Sequence, residues 1–197
     1  MPHETRLPGT QITGVYGRIL KFAMKKMLGR VPRSAEVMWH NQTVFKDMMG
    51  FGRKVEAWNK LDPNLASFAT MVAAATIGCS FCLDLGYFQA HNRGLDTIKA
   101  REVPRWRDST VFTAVERRVM EYSEAVCQTP PTVTDEMSAA LLADLGAPAL
   151  IELTARIAMM NLAARNNVAL GIHSEQYAEA CGLSPLATYS APETSLA

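Results

Sequence analysis

The chain has 197 residues, 48% of them hydrophobic, with 20 Lys and Arg against 19 Asp and Glu and a formal net charge of +1. That is enough chain and enough apolar material for one globular domain with its own core. The near-neutral balance argues against a nucleic-acid partner, which needs a clear basic excess, and Gly50 and Gly52 in "GFGRKV" are half a dinucleotide loop, with no strand before them and no third glycine.

The first residues lack the pattern of a secretory signal, and no apolar run approaches ~18 residues, so a soluble cytoplasmic protein is expected and a membrane partner is not. Thiols stay reduced in that compartment, so the four cysteines do not read as a disulfide framework.

In chain order, helix signals follow one another and strand signals are nearly absent. Thr13 to Leu28 has apolar residues at helical spacing, with Arg18, Lys21, Lys25 and Lys26 between them. No acidic residue stands between Glu4 and Glu36. Such a basic amphipathic helix can lie on an anionic membrane, but the expectation is that its Ile19, Leu20, Phe22 and Met27 side packs on the body or on a neighbouring subunit. Asp62 and Pro63 form a helix start, an N-cap followed by proline in the first turn, and that helix runs to Gly78.

A further helix begins near Cys79 and stops around Asn92 to Gly94. Thr113 and Glu116 are spaced as a capping box opening "TAVERRVMEYSEAV", which ends before Pro130. "TDEMSAALLADLG" is stopped by Gly146. The last helix, "APALIELTARIAMMNLAARNNVALGI", has Pro148 in its first turn and an expected apolar face through Leu150, Ile151, Thr154, Ile157, Ala158 and Leu162. An all-α fold follows.

Cys79 and Cys82 are the chemistry-bearing pair. Their CxxC spacing puts both thiols on one helical turn, where the free amides of a helix N-terminus stabilise a thiolate. A zinc site needs four ligands, and Cys127, Cys181, His40, His91 and His173 are scattered singly, so no metal is expected. The lone Cys127 and Cys181 read as small apolar side chains.

From about Asp62 to Leu183 the chain resembles the carboxymuconolactone decarboxylase and alkylhydroperoxidase D-like proteins, in "GCSFCLDLG", the alanine-rich helix before it, "FTAVERRVMEYSEAV", and "IELTARIAMMNLAARNNVALGI" with "SEQYAEACGL" after it. The resemblance implies an alkylhydroperoxidase D-like helical domain, a homo-oligomer (dimer, trimer or hexamer), and a thiol peroxidase. It implies a hydroperoxide or other small-molecule substrate, an external dithiol reductant and no cofactor. The organisation it suggests is an N-terminal helical extension over 1–60 packed on the core, a core over 61–185 and a flexible tail over 186–197.

In the peroxidase members a histidine four residues after the second cysteine and an upstream glutamate complete a proton relay. Here those positions hold Gly86 and Ser67. His91 is nine residues beyond Cys82, on the opposite helix face at ~100° per residue, and reads as a surface histidine. Glu116, Glu121 and His40 are candidate substitutes for the base, and Asp84 reads as solvated. The helix end favours Cys79 as the attacking thiol, whereas the family pattern implies attack by Cys82 and resolution by Cys79, which is the assignment adopted. Two alternatives keep the fold without the redox cycle. One is a small-acid or lactone decarboxylase-type site, with Arg117, Arg118, Arg156 or Arg165 as the anion partner; the other is a non-catalytic assembly protein.

Overall fold

The structure is a computed structural model and describes residues 5–189. Among them are ten α-helices and one 3₁₀ turn, with no strand: α1 (Gly14–Leu28), α2 (Arg33–Met38), α3 (Gln42–Glu56), α4 (Pro63–Ile77), α5 (Ser80–Asn92), α6 (Thr97–Glu102), the turn Val103–Arg105, α7 (Ala114–Cys127), α8 (Asp135–Leu145), α9 (Ala147–Ala169) and α10 (Tyr177–Ala180).

The fold is organised around α4. "NLASFATMVAAAT" is apolar all round, the pattern of a helix with no solvent face, and Phe68, Ala69, Ala73 and Ala74 are wholly buried. One side of α4 packs on Val119 and Tyr122 of α7 and on Leu153 and Ile157 of α9. Another packs on Tyr87 and Ala90 of α5 and on the Ala100–Trp106 segment. A third cluster joins Ala74 to Cys79, Phe81, Cys82, Phe88, Ala164 and Tyr177, and the N-terminal region reaches it through Val37.

Local chemistry sets the ends. Asp62 Oδ1 accepts from the amides of Asn64 and Leu65, and α4 ends at Gly78 with φ of 82°, a left-handed turn that glycine takes without strain. Thr113 and Glu116 make the expected capping box on α7. Thr113→Ala is expected to lower unfolding free energy by about 1 kcal/mol, read as a fall in the urea midpoint at unchanged slope.

On α1 the buried residues are Gly17 and Met24, beside Ile12, Ala35, Trp39 and Phe45; of the side expected to pack, Leu20 lies partly against that cluster and Ile19, Phe22 and Met27 are exposed on the single chain. The face expected on α9 is corrected. On α9 Ile157 is buried but Ile151, Ala158 and Leu162 are exposed; in their place Glu152 and Arg156 are covered by the chain between α3 and α4. An ion pair that neutralises itself under a loop has no hydropathy signature, so the apolar stripe was drawn about 100° off. α3 carries Gly50 and Gly52 in its interior, which weakens its helical pattern.

Of residues 186–197, Leu186 packs on the α4–α5 cluster and the Ala187 amide donates to the Arg101 carbonyl. Residues 190–197 lie outside the described residues. Among the described residues no helix is long and apolar enough to cross a membrane.

Candidate active site

The left-handed Gly78 turns the chain from α4 directly into α5, and Cys79 becomes the N-cap of α5. Its sulfur takes the role usually played by a Ser or Asp oxygen, accepting the Cys82 amide at 3.2 Å. Cys79 and Cys82 are joined as a disulfide with Cα atoms 5.3 Å apart. The two sulfurs differ in access: Cys79 is 1% exposed, and Cys82 is 7% exposed and lines a cavity of about 230 Å³ between α3, α4, α5 and α9.

Phe81, Leu85, Met159 and Met160 give that cavity apolar walls, with Ser67, Thr70, Gln89 and Asn167 as polar points. Ser67 and Gly86, the two positions without relay side chains, both line it. Met71 stands beside both. Ser67 Oγ lies 3.8 Å from Met71 Sδ, and a Cβ added at Gly86 would sit 3.1 Å from Met71 Cγ. Absence of the relay side chains thus leaves cavity next to Cys82, and an imidazole at 86 would require Met71 to shift. Asn167, near the end of α9, points its amide Nδ2 at Cys82 Sγ at 3.3 Å. No motif marked it in the sequence, where it is the second residue of an Asn-Asn pair in an otherwise apolar stretch.

The candidate bases lie elsewhere. Glu116 is taken up by Lys99 Nζ at 2.8 Å and by the Thr113 amide. Burial pushes its carboxyl up, but these partners more than offset that and hold it below the ordinary value. Glu121 is exposed, His40 Nε2 is 2.9 Å from the Pro8 carbonyl, and none of the three lines the cavity. His91 is exposed in the last turn of α5, as its spacing predicts.

Asp84 is a correction. It is buried, accepting from the Ser174 hydroxyl at 2.8 Å and from the amides of Tyr177 and Ala178. It ties α5 to the segment entering α10, a contact 90 residues away in sequence that spacing on α5 alone does not show.

The four arginines offered for an anion are committed. Arg117 donates to the Trp106, Arg107 and Ser109 carbonyls. Arg118 pairs with Asp144, and Arg165 donates to Cys127 O and Thr129 Oγ1. Only Arg156 of the four lines the cavity, and Glu152 neutralises it at 2.9 Å while Trp58 O takes a second N–H. Cys127 is buried, accepts from Asn161 Nδ2, and has its thiol pushed up by burial; Cys181 is exposed. Among the described residues no three His, Cys, Asp or Glu side chains gather as a metal site.

Helices wrapped on a central α4, with a cysteine pair opening the next helix, define the alkylhydroperoxidase D-like fold. Residues 42–125 match the model of the carboxymuconolactone decarboxylase family. Protein YnjA of Escherichia coli K12 is 39% identical over 115 residues, 58% of this chain; the match spans 63% of YnjA, less than two thirds of its length. The debrominase Bmp8, in a complex with 2,3,4-tribromopyrrole, superposes with a TM-score of 0.77 at 19% identity, covering 90% of this chain and 95% of that one. An alkylhydroperoxidase AhpD core protein from Ralstonia eutropha JMP134 gives 0.78 at 14% identity, with the same coverage. At these identities the structural likeness concerns the fold.

Proposed function

We propose that the protein is a CxxC dithiol oxidoreductase that reduces a small organic molecule, with an organic hydroperoxide as its substrate. The observation that carries this reading is a cysteine pair at bonding distance with one member, Cys82, on the wall of a largely apolar cavity. Access supports Cys82 as the attacking sulfur and Cys79 as the resolving one. The Cys82 thiolate attacks the hydroperoxide, an S–O bond forms as the O–O bond breaks, and the alcohol leaves with a proton. The Cys79 thiol then displaces water from the Cys82 sulfenic acid to give the disulfide, and an external dithiol restores both thiols while becoming oxidised itself. A cytoplasmic setting fits, because the cycle needs a reducing compartment. A homo-oligomer is part of the same proposal and accords with the exposed apolar side chains of α1.

Size and charge argue for an organic, uncharged substrate. In this measure a single water needs ~10–15 Å³, so the cavity of about 230 Å³ is far larger than hydrogen peroxide requires. The two arginines on its wall are each paired, Arg156 with Glu152 and Arg93 with Glu56, which disfavours a carboxylate ligand and with it the lactone-acid alternative. With dithiothreitol as reductant, cumene hydroperoxide is expected to turn over faster than hydrogen peroxide. Ala163→Phe, which fills the cavity from α9, should slow cumene hydroperoxide roughly tenfold or more and leave hydrogen peroxide unchanged. Equal loss with both peroxides would count against substrate binding in this cavity, and no consumption of either would sink the hydroperoxide reading.

A second reading rests on the complex of the debrominase with a tribrominated pyrrole. Aromatic and thioether walls at Phe81, Met159 and Met160 suit a planar halogenated ring. There the dithiol would supply two electrons, carbon–bromine would become carbon–hydrogen, and bromide would leave. Bromide release from 2,3,4-tribromopyrrole, without peroxide turnover, would favour it.

A further inference from the structure

We infer that Asn167 is the catalytic hydrogen-bond donor to Cys82, activating its sulfur where no candidate base among the described residues reaches it. The inference rests on the redox reading above. A disulfide sulfur carries no hydrogen, so the contact of 3.3 Å has only one polarity, with the Asn167 amide N–H donating to Cys82 Sγ. The same donor faces the sulfur when the disulfide is reduced and Cys82 becomes a thiolate, and a donor to the charged form favours that form. An amide does not titrate near neutrality, so Asn167 stabilises the anion without removing the proton.

The residue is held in place. The Asn167 carbonyl accepts the Ile172 amide at 2.9 Å, and the neighbouring carbonyls of Val168 and Ala169 accept the Arg6 guanidinium at 2.7 and 2.6 Å. The Arg6 amide closes on the Leu170 carbonyl. The last turn of α9 is therefore clamped from the N-terminal segment, with Asn167 on the side that faces the cavity.

This donor resolves a conflict in the cysteine pair. The start of α5 gives its amide to Cys79, which by itself favours the buried sulfur as the thiolate. Asn167 gives a donor to Cys82, the sulfur that a substrate can reach. Among the described residues that line the cavity the charges are paired: Glu56 of α3 with Arg93 at the end of α5, and Glu152 with Arg156 on α9. On α4 the cavity meets only Ser67, Thr70 and Ala66. Asp84 of α5 is bonded to the 174–178 segment, and the Tyr177 phenol, pushed up to about 12 by burial, stays neutral.

The test is the pH profile of iodoacetamide alkylation at Cys82 in full-length Cys79→Ser protein, resolved by peptide mass spectrometry so that Cys127 and Cys181 do not contribute. Adding Asn167→Leu is expected to lower the Cys82 alkylation rate at neutral pH about tenfold, while the plateau rate at high pH stays the same. Asn167→Asp, of the same shape, should lower it further by placing a carboxylate beside the thiolate, and it decides the matter if the leucine variant does not fold. An unmoved profile in either folded variant would overturn the assignment, since a merely structural asparagine changes melting without changing the thiol's titration. Alkylation needs no peroxide, so a wild type inert to hydroperoxides but with the expected shift would remove the hydroperoxide reading and leave this one standing.

Discussion

Arg156→Met is expected to cost about 3–5 kcal/mol of stability, a fall in melting temperature of roughly 6–20 °C for a chain of this size. Arg156 and Glu152 are each 6% exposed, and their ion pair joins α9 to the chain ahead of α4: Arg156 donates to Glu152 Oε1 and to the Trp58 carbonyl, and Glu152 Oε2 accepts the Lys60 amide. Methionine fills the space of the arginine stem but leaves Glu152 as a buried carboxylate held only by the backbone amides of Lys60 and Leu61. The cost lies in that orphaned charge more than in the attraction lost. Glu152→Leu combined with Arg156→Met should therefore recover part of the loss, falling short by the unpaired Lys60 amide at about 1–3 kcal/mol.

The pH dependence has a definite sign. Burial pushes the Glu152 carboxyl up, but the Lys60 amide and the Arg156 guanidinium more than offset it, and the folded value lies below the ordinary one. A depressed carboxyl stabilises the fold fully above its unfolded value of about 4.3, and that contribution is lost as pH falls through the lower folded value. Wild type should thus lose stability in this acid window, and Arg156→Met should lose less there because it starts without the pair. A flat difference between the two from pH 7 to pH 3 would contradict the assignment.

This pair also marks the boundary of what the sequence makes legible. Helix ends are local: Asp62 before Pro63, Thr113 three residues before Glu116, and the glycines at 78 and 146 each state their role within one turn, and each is found there. Faces are not local. Nothing on α9 announces the Trp58–Leu61 segment that covers Glu152 and Arg156, so the expected stripe includes the buried Ile157 but misses Leu153 and runs on to the exposed Ile151 and Leu162. Asp84 fails for the same reason, its amide donors lying on α10. At the site, the CxxC spacing identifies both cysteines and the resemblance identifies the missing relay, but Asn167 enters only through the packing of α9 on α5. On α1 the period is legible but not what its apolar side meets, since Ile19 and Phe22 have the same apolarity whether they face the body, a neighbouring subunit or the solvent.

Cys82→Ser is expected to abolish the first peroxide turnover, a loss on the order of 10³-fold or more as for removal of any nucleophile that acts as a unit with its neighbours. Cys79→Ser should behave differently. Serine is a preferred N-cap, so its hydroxyl can accept the Cys82 amide that the sulfur now accepts, and the start of α5 survives. Attack at Cys82 then proceeds once, consuming about one equivalent of hydroperoxide per chain and leaving a sulfenic acid that dimedone traps. Steady turnover fails because no second thiol remains to condense with it. The opposite pattern, a single burst in Cys82→Ser and none in Cys79→Ser, would make Cys79 the attacking sulfur. Substrate would then have to reach a side chain that is 1% exposed. That requires the first turn of α5 to open before each cycle, with the Asp84 contacts to Tyr177 and Ala178 as the bonds that resist it. In the arrangement proposed, the buried sulfur has to meet only its neighbour, and the disulfide already spans that distance within one helical turn.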